Sequence, residues 1–249
     1  MNEPGLKILL FIVAYNEEKS LPGLLREVRE KAGLEGRRYE MIVIDDGSTD
    51  STRQAAEDRG MKVVRHPVNL GIGAAEQTGL KYAQKNHYDV AVRIDGDGQH
   101  PPESIAGLVE EVVSGRADLA VGSRFVRRST DGFKSTWMRR MGIRYFSAVC
   151  FMLTGKRIKD PTSGFRCFGR DSIELLTQIP PADFPEVESF IEAVRGGLRV
   201  GEIAAPFRAR KGGASSIKFH HSIYYMIKVT MAVLVAALRK KPLEKKRET

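Results

Sequence analysis

The sequence predicts an α/β fold with a mostly parallel sheet flanked by helices. In the first half of the chain, short apolar runs rich in β-branched residues alternate with amphipathic stretches. Turn-forming residues bound each run, and the stretches between them begin or end at recognisable helix caps. Strands that alternate with helices form parallel sheets, because a crossover must bring each strand back beside its neighbour.

Each apolar run in this half is predicted to be a buried strand, because it is short and bounded by turn formers. The predicted strands are Lys7–Val13, Met41–Asp45, Lys62–Arg65, Val90–Ile94 and Leu119–Val121. The predicted helices run from Ser20 to about Lys31, from Asp50 or Ser51 to Gly60, from Pro102-Glu103 onward and, after the alternation ends near Arg124, from Trp137 to Thr154.

Composition excludes several classes of protein. The chain has 249 residues with 42% hydrophobic content, which excludes wholesale disorder. Its two cysteines, Cys150 and Cys167, cannot form a disulfide framework or a cysteine-based zinc site, so a reducing compartment is expected. The net charge of +9 permits anionic partners. Nucleic acid is not predicted as one of them, because the sequence has no recognisable nucleic-acid module.

Polar residues follow three of the predicted strands, at Tyr15-Asn16-Glu17, Asp45-Asp46-Gly47-Ser48 and Asp95-Gly96-Asp97. Ligands of parallel α/β sheets bind beyond the carboxyl ends of the strands. Asp95 and Asp97 can hold a hard divalent cation through oxygen, and Gln99 can add a carbonyl. The alternative is a plain acidic turn, but two acidic turns after two strands favour a site. His100, which precedes two prolines, is expected to be structural.

A glycine-containing turn, Asn69-Leu70-Gly71-Ile72-Gly73, opens another predicted helix. It partly matches the dinucleotide fingerprint, but Glu76 occupies the position of the third glycine and the turn does not follow the first strand. A nicotinamide-dependent enzyme is therefore not predicted. The glycines are interpreted as a tight turn beside a nucleotide.

These motifs together resemble glycosyltransferase family 2, and within it the dolichol- or polyprenyl-phosphate sugar transferases. The resemblance covers roughly residues 7–217 and also rests on later motifs that occur in the expected order. The full set is Val13-Ala14-Tyr15-Asn16-Glu17, Val43 to Thr52, Asp95 to Glu103, Gly122-Ser123-Arg124, Asp160 to Arg166 and Phe207 to Ser216.

The resemblance implies a GT-A fold, an inverting transfer, a GDP- or UDP-sugar donor and a Mg²⁺ or Mn²⁺ ion. It implies that Asp95 contacts both nucleotide and metal, and that Asp97 and Gln99 ligate the metal. Asp95, Asp97, Arg124 and Arg210 are the implied catalytic residues. The other implied nucleotide-binding positions are Ala14, Tyr15, Glu17, Asp46 and Gly71, and the implied acceptor-binding positions are Arg124, Arg139, Arg140, Ser163, Glu186, Glu188, Arg210 and Ser215.

Two differences between this sequence and the usual motifs of the family bear on the choice of substrates. Members that act on sugar hydroxyls carry a Glu-Asp pair as base, whereas this chain has Phe184-Pro185-Glu186-Val187-Glu188. A phosphate acceptor is already ionised and needs no base, so a polyprenyl phosphate is predicted. Two alternatives stay open: a saccharide-extending enzyme with Glu186 or Glu188 as base, and a catalytically silent membrane-binding scaffold. Ala214 and Ser216 replace the branch's usual acid and lysine, which leaves mannose, glucose and N-acetylhexosamine open.

The chain is divided into a catalytic domain, residues 1–214, and a C-terminal amphipathic helix with a basic tail, residues 215–249. The charge-free stretch Val229–Leu238 is too short for a bilayer, which needs about 20 residues. The helix either packs on the domain or a second copy, or lies in a membrane interface. The expected location is peripheral, at the cytoplasmic face of a membrane, with an integral membrane partner as one candidate anchor.

Overall fold

The computed structural model describes residues 5–126, 137–180, 184–209, 228–232 and 234–235. Its strands are β1 (Lys7–Ala14), β2 (Arg38–Asp45), β3 (Lys62–Arg65), β4 (Val90–Asp95), β5 (Leu119–Ser123), β6 (Arg166–Gly169) and β7 (Val200–Ala204). Its helices are α1 (Leu21–Lys31), α2 (Thr52–Glu57), α3 (Ile72–Lys85), α4 (Ile105–Val113), α5 (Trp137–Thr154), α6 (Arg170–Leu176) and α7 (Pro185–Arg195), with a 3₁₀ turn at Pro102–Ser104.

The strands form one seven-stranded sheet in the order β3-β2-β1-β4-β6-β5-β7. Only β6, among the strands that the structure describes, runs antiparallel to its neighbours β4 and β5. The predicted α/β class and mostly parallel sheet are therefore confirmed. The alternation of strands and helices, predicted to end near Arg124, instead continues through α5, β6 and α6 and ends where α7 follows α6 directly.

Several predicted boundaries were wrong by a few residues. Strand β2 begins at Arg38 rather than Met41, because pairing with β1 already starts at Lys7. Helix α2 ends at Glu57, and the residues up to Gly60 form turns instead. The helix after Pro102 begins as a single 3₁₀ turn.

The central strand β1 is buried on both faces. Ile8, Leu10 and Ile12 pack with α1 and α4 on one side, while Leu9 and Phe11 pack with α3 on the other. Each such side chain contributes about 1.5–3 kcal/mol by leaving water. This two-sided burial fixes the strand register, and with it the relative positions of the loops that follow the strands.

A third apolar cluster joins α5, α7 and the C-terminal helical segment of residues 228–232 and 234–235. Val229 is fully buried beside Phe146 and Val149 of α5, and the hydroxyls of Tyr145 and Thr230 lie 3.0 Å apart. This part of the predicted C-terminal helix therefore packs on the domain. Met231, Leu234 and Val235 remain exposed. No helix within the described ranges has the length and apolarity needed to cross a bilayer.

Candidate active site

The strand register brings the predicted site motifs to one edge of the sheet. Ala14 at the end of β1 pairs with Asp45 at the end of β2, and Val13 pairs with Asp95 at the end of β4. The turn Asp160 to Gly164 precedes β6, and because β6 is antiparallel this turn lies at the same edge. The loops that carry the early and late motifs therefore face one another.

Asp46, directly after β2, holds the start of α3. Its carboxylate accepts hydrogen bonds from the backbone N–H groups of Leu70 and Gly71, each at 2.9 Å, and lies 2.7 Å from Nδ1 of His66. Gly71, with φ of 91°, is the residue from which α3 begins. Both oxygens of Asp46 are thus bound to the protein, so Asp46 shapes the turn beside Gly71. Its contact with a nucleotide stays a prediction.

The loop after β1 is fastened to the loop after β2. The N–H of Glu17 donates to the hydroxyl of Thr52 at 2.7 Å, and the hydroxyl of Ser20 donates to the Glu17 carboxylate. Ala14 and Glu17 are buried, whereas Tyr15 is 45% exposed. An exposed ring on a fixed loop can stack on a nucleotide base, which is the role predicted for this part of the chain.

The turn after β4 carries the two predicted metal-binding carboxylates. The N–H of Asp95 donates to Nδ1 of His100 at 3.1 Å, and the N–H of Gln99 donates to Asp97 at 3.0 Å. His100 is buried against Phe165, with ring centroids 4.8 Å apart. Burial lowers its pKa, although the Asp95 and Asp97 carboxylates oppose that shift. A neutral His100 that accepts at Nδ1 fits the structural role expected for it.

The oxygen atoms at this turn match part of the coordination shell of a hard cation. Asp95 and Asp97 offer carboxylate oxygens and Gln99 offers an amide oxygen, which are ligand types that Mg²⁺ and Mn²⁺ take. In the described residues, no group of three or more His, Cys, Asp or Glu is arranged to hold a metal by itself. A cation here would need further oxygens from its substrate, such as those of a diphosphate.

Sequence reasoning missed Arg93, a charged residue inside the otherwise apolar strand β4. Its guanidinium is 1% exposed and contacts Glu76 at 2.5 Å, Glu186 at 2.8 Å and Asp95 at 3.2 Å. Burial alone would lower its pKa, but the three carboxylates raise it above the usual value. Arg93 therefore stays charged and links Asp95 to α3 and α7. The signal that could have found it is this single arginine in the run Val90–Ile94.

Because Gly164 has no side chain, there is space beside it for the ion cluster around Arg93. A Cβ at position 164 would lie 2.8 Å from Nη2 of Arg93 and 3.0 Å from the Asp95 carboxylate. The glycine of the Asp160 to Gly164 turn is therefore required by a close approach of charged side chains, not by its backbone angles.

Arg166 is a second buried arginine that the sequence did not identify as a functional residue. It donates to the carbonyl oxygens of Ser163 and Pro161 at 2.8 and 3.2 Å, and to the hydroxyl of Ser189 at 2.5 Å. Burial lowers its pKa. Its bonds hold the turn before β6 against α7.

Arg124 and Ser163, both predicted to bind the acceptor, have internal partners. Arg124 makes a two-point ion pair with Asp160, both bonds at 2.6 Å, and its side chain is only 5% exposed. The Ser163 hydroxyl is buried and donates to the carbonyl of Gly122 at 2.6 Å. Both side chains hold the Asp160 to Gly164 turn, so direct contact with a substrate stays a prediction for each.

The remaining predicted acceptor residues are dispersed. Arg140 lies exposed on α5, and Glu186 binds Arg93. Glu188 is buried and, with Glu76, lines a cavity of about 30 Å³ between α3, α6 and α7, which is room for about two waters. The Arg139 side chain, Arg210 and Ser215 lie outside the described residues.

Comparison with known families decides the class of the protein. The sequence model of glycosyl transferase family 2 matches residues 10–175, which include the loops after β1, β2 and β4. The chain belongs to glycosyl transferase family 2. The predicted family is confirmed.

Two relatives of this family 2 chain are lipid-phosphate sugar transferases by name. The UDP-N-acetylglucosamine–dolichyl-phosphate N-acetylglucosaminyltransferase of Methanococcus voltae is 30% identical, over 79% of this chain and 83% of the relative. The polyprenol monophosphomannose synthase of Mycolicibacterium smegmatis is 28% identical, over 91% of this chain and 86% of the relative. Both names agree with the predicted branch of the family.

A solved structure supports the fold. Glucosyl-3-phosphoglycerate synthase from Mycobacterium tuberculosis, crystallised with Mn²⁺, UDP and glucosyl-3-phosphoglycerate, superposes with a TM-score of 0.70. The match covers 94% of this chain and 80% of that chain at 22% sequence identity. The predicted GT-A architecture is confirmed by this likeness.

Proposed function

We propose that this chain transfers a sugar from a nucleoside diphosphate to a polyprenyl or dolichyl phosphate, with inversion at the anomeric carbon. The acceptor phosphate oxygen forms the new bond to that carbon, the bond to the donor diphosphate breaks, and the nucleoside diphosphate leaves. An ionised phosphate has no proton to lose in this step, so the enzyme needs no general base.

The observation that carries this choice of acceptor is the ion pair between Glu186 and Arg93. An enzyme that extends a saccharide must remove a hydroxyl proton, and Glu186 is one of the two residues proposed for that task. Its carboxylate lies 2.8 Å from the buried guanidinium of Arg93. A buried arginine is costly without its carboxylate partners. Glu186 therefore has a structural task, and the names of the two relatives favour a lipid phosphate independently.

Asp95 and Asp97 are the residues that would hold Mg²⁺ or Mn²⁺, with Gln99 beside them. A bound divalent ion neutralises negative charge on the leaving diphosphate. Arg93 holds Asp95 in place, because its Nε and Nη2 atoms each donate a hydrogen bond of 3.2 Å to the Asp95 carboxylate. The fixed loops after β1 and β2, with the exposed Tyr15, form the side of the site that would receive the base and ribose. The name of the Methanococcus voltae relative contains a UDP-sugar, and the family resemblance adds a GDP-sugar as the second candidate donor.

A lipid acceptor requires the protein to work at a membrane surface. The exposed Met231, Leu234 and Val235 lie at spacings of three and four residues, which puts them on one face of the C-terminal helical segment. Such a face suits the interfacial zone of a bilayer. An integral membrane protein that presents the lipid is a second way to achieve the same contact.

The test is a panel of UDP- and GDP-sugars offered with polyprenyl phosphate or with simple glycosides, with lipid and saccharide products analysed separately. We expect metal-dependent transfer to polyprenyl phosphate. Glu186→Gln and Glu188→Gln should retain transfer within about tenfold, because neither carboxylate takes a proton. Arg210→Lys should raise the acceptor KM or lower kcat, because lysine lacks the planar guanidinium that can bind a phosphate through two hydrogen bonds.

A different result would assign the saccharide-extending reaction instead. Either Glu variant would then be inactive on glycosides while Arg210→Lys stayed nearly normal. The wild-type protein would also give no labelled lipid with any donor of the panel.

A further inference from the structure

Arg208 lies just beyond β7, at the sheet edge where the site motifs meet. Its guanidinium binds both oxygens of Glu103, each at 2.7 Å, and also binds Glu27. Burial alone would lower its pKa, but its bonds to the two carboxylates raise it. Glu27 belongs to α1 and Glu103 to the 3₁₀ turn before α4, so one side chain joins two separate elements to the segment after β7.

The backbone of the same residue is attached to the predicted metal turn. The N–H of Arg208 donates to the carbonyl of Gln99 at 2.9 Å. The preceding residue, Phe207, packs edge-on against His100 with ring centroids 4.9 Å apart. The chain that leads to Arg210 is therefore fastened, at position 208, directly to the turn that carries Asp97 and Gln99.

We propose that Arg208 is a positioning residue, which fixes the backbone at residues 208 and 209 relative to the turn from Asp95 to Gln99. The proposal rests on the proposed function, in which Arg210 grips the acceptor and the turn holds the donor. A single backbone hydrogen bond contributes little net free energy and leaves the chain direction poorly defined. Charge-assisted bonds from one guanidinium to two carboxylates on different elements define that direction.

The opposite edge of the sheet supplies a matched control. Arg199 precedes β7 and makes a comparable two-point ion pair with Asp118, at 2.7 and 3.1 Å. It lies at the amino end of β7, whereas Arg208 follows its carboxyl end. Replacing either arginine by methionine removes a guanidinium that pairs with carboxylates, but only Arg208 borders the site.

The experiment compares Arg208→Met, Arg208→Lys and Arg199→Met after circular dichroism has shown each to be folded. Transfer to polyprenyl phosphate gives kcat and KM, and titration with UDP or GDP in Mn²⁺ gives the dissociation constant. We expect Arg208→Met to lower kcat/KM for the acceptor at least about tenfold, with nucleotide affinity within about twofold, and Arg208→Lys to be intermediate. Arg199→Met should leave both quantities within about twofold.

A second measurement does not depend on the acceptor. Hydrogen exchange of the Arg208 amide should accelerate at least about tenfold in Arg208→Met and stay near wild type in Arg199→Met. The inference is overturned if Arg208→Met matches Arg199→Met in exchange and transfer, or if it loses nucleotide binding as strongly as transfer. Wild-type protein without transfer to polyprenyl phosphate would instead overturn the proposed function, and the exchange result would still decide the role of Arg208.

Discussion

The two sides of the site edge are built by different means. On the predicted donor side, after β1 and β2, the carboxylates of Asp46 and Glu17 are held by backbone N–H groups and hydroxyls. On the predicted acceptor side, around β5 and β6, arginines are held by a buried carboxylate, as Arg124 is, or by backbone carbonyls, as Arg166 is. The first arrangement depends on neighbouring loops, whereas the second builds a wall of the site from buried charges that belong to distant parts of the chain.

The largest expected effect tests whether that wall depends on its buried ion pairs. Arg93→Met leaves Glu76 and Glu186 without their buried cation, and we expect the free energy of unfolding to fall by about 3–5 kcal/mol. Urea denaturation measures it. If Arg93→Met does not fold, Arg93→Lys is the substitute, because it keeps the charge and loses only the planar guanidinium. Its free energy of unfolding should fall by less.

Arg53→Met is the matched control for Arg93, because it removes an exposed ion pair to Glu57 on α2. Solvent screens such pairs, so little change in the urea midpoint is expected. Equal losses in Arg53→Met and Arg93→Met would show that the buried cluster does not stabilise the wall.

The next effect tests whether catalysis needs the negative charge of Asp97. Asp97→Asn keeps the shape of the side chain and removes its charge, so turnover should fall by about a hundredfold or more with the fold intact. Asp58→Asn, on the exposed turn after α2, is the control and should be unchanged. Near-normal activity of Asp97→Asn at saturating Mg²⁺ or Mn²⁺ would remove Asp97 from the predicted metal site.

A smaller effect tests how tightly the donor loops are packed. Gly47 and Gly60 both have positive φ, 71° and 68°, but a Cβ on Gly47 would lie 2.3 Å from the backbone of Val68 while Gly60 faces open space. Gly47→Ala should therefore cost about 1–3 kcal/mol more than Gly60→Ala, in the same urea experiment. It should also weaken nucleotide binding, because Val68 leads into Leu70 and Gly71, whose backbone N–H groups Asp46 holds. Equal costs would show that the loops can move apart.

The smallest effect concerns the two cysteines on the acceptor side. Burial raises the pKa of Cys150 to about 12 and raises that of Cys167 as well, so both thiols stay protonated at pH 8. We expect no rapid labelling by iodoacetamide in the native protein, complete labelling in urea and no change in activity after exposure of the native enzyme to the reagent. Fast labelling of Cys150 would mean that the core under α5 opens readily.

The loops after β1, β2 and β4 could be predicted from the sequence because their signals are local. Each strand there is a short apolar run, and the residues that matter come directly after it, as Asp95 and Asp97 do. The parallel sheet then brings these residues together by a general rule of strand order. On the acceptor side the pairs are distant in sequence, such as Arg124 with Asp160 and Arg93 with Glu186. No local pattern specifies those pairs.

By itself, the sequence determined the α/β class, most strands to within a few residues, the family and the turns that carry the donor-side acids. These properties follow from periodicity and from short motifs, which neighbouring residues encode. Only the tertiary structure decided that Arg124 and Ser163 face inward, that Arg93 contacts Asp95, and that Arg208 joins α1 and the 3₁₀ turn to the segment after β7. The reason is electrostatic: a buried charge needs a partner of opposite sign, and which partner comes within about 3 Å is settled by the packing of the sheet and helices.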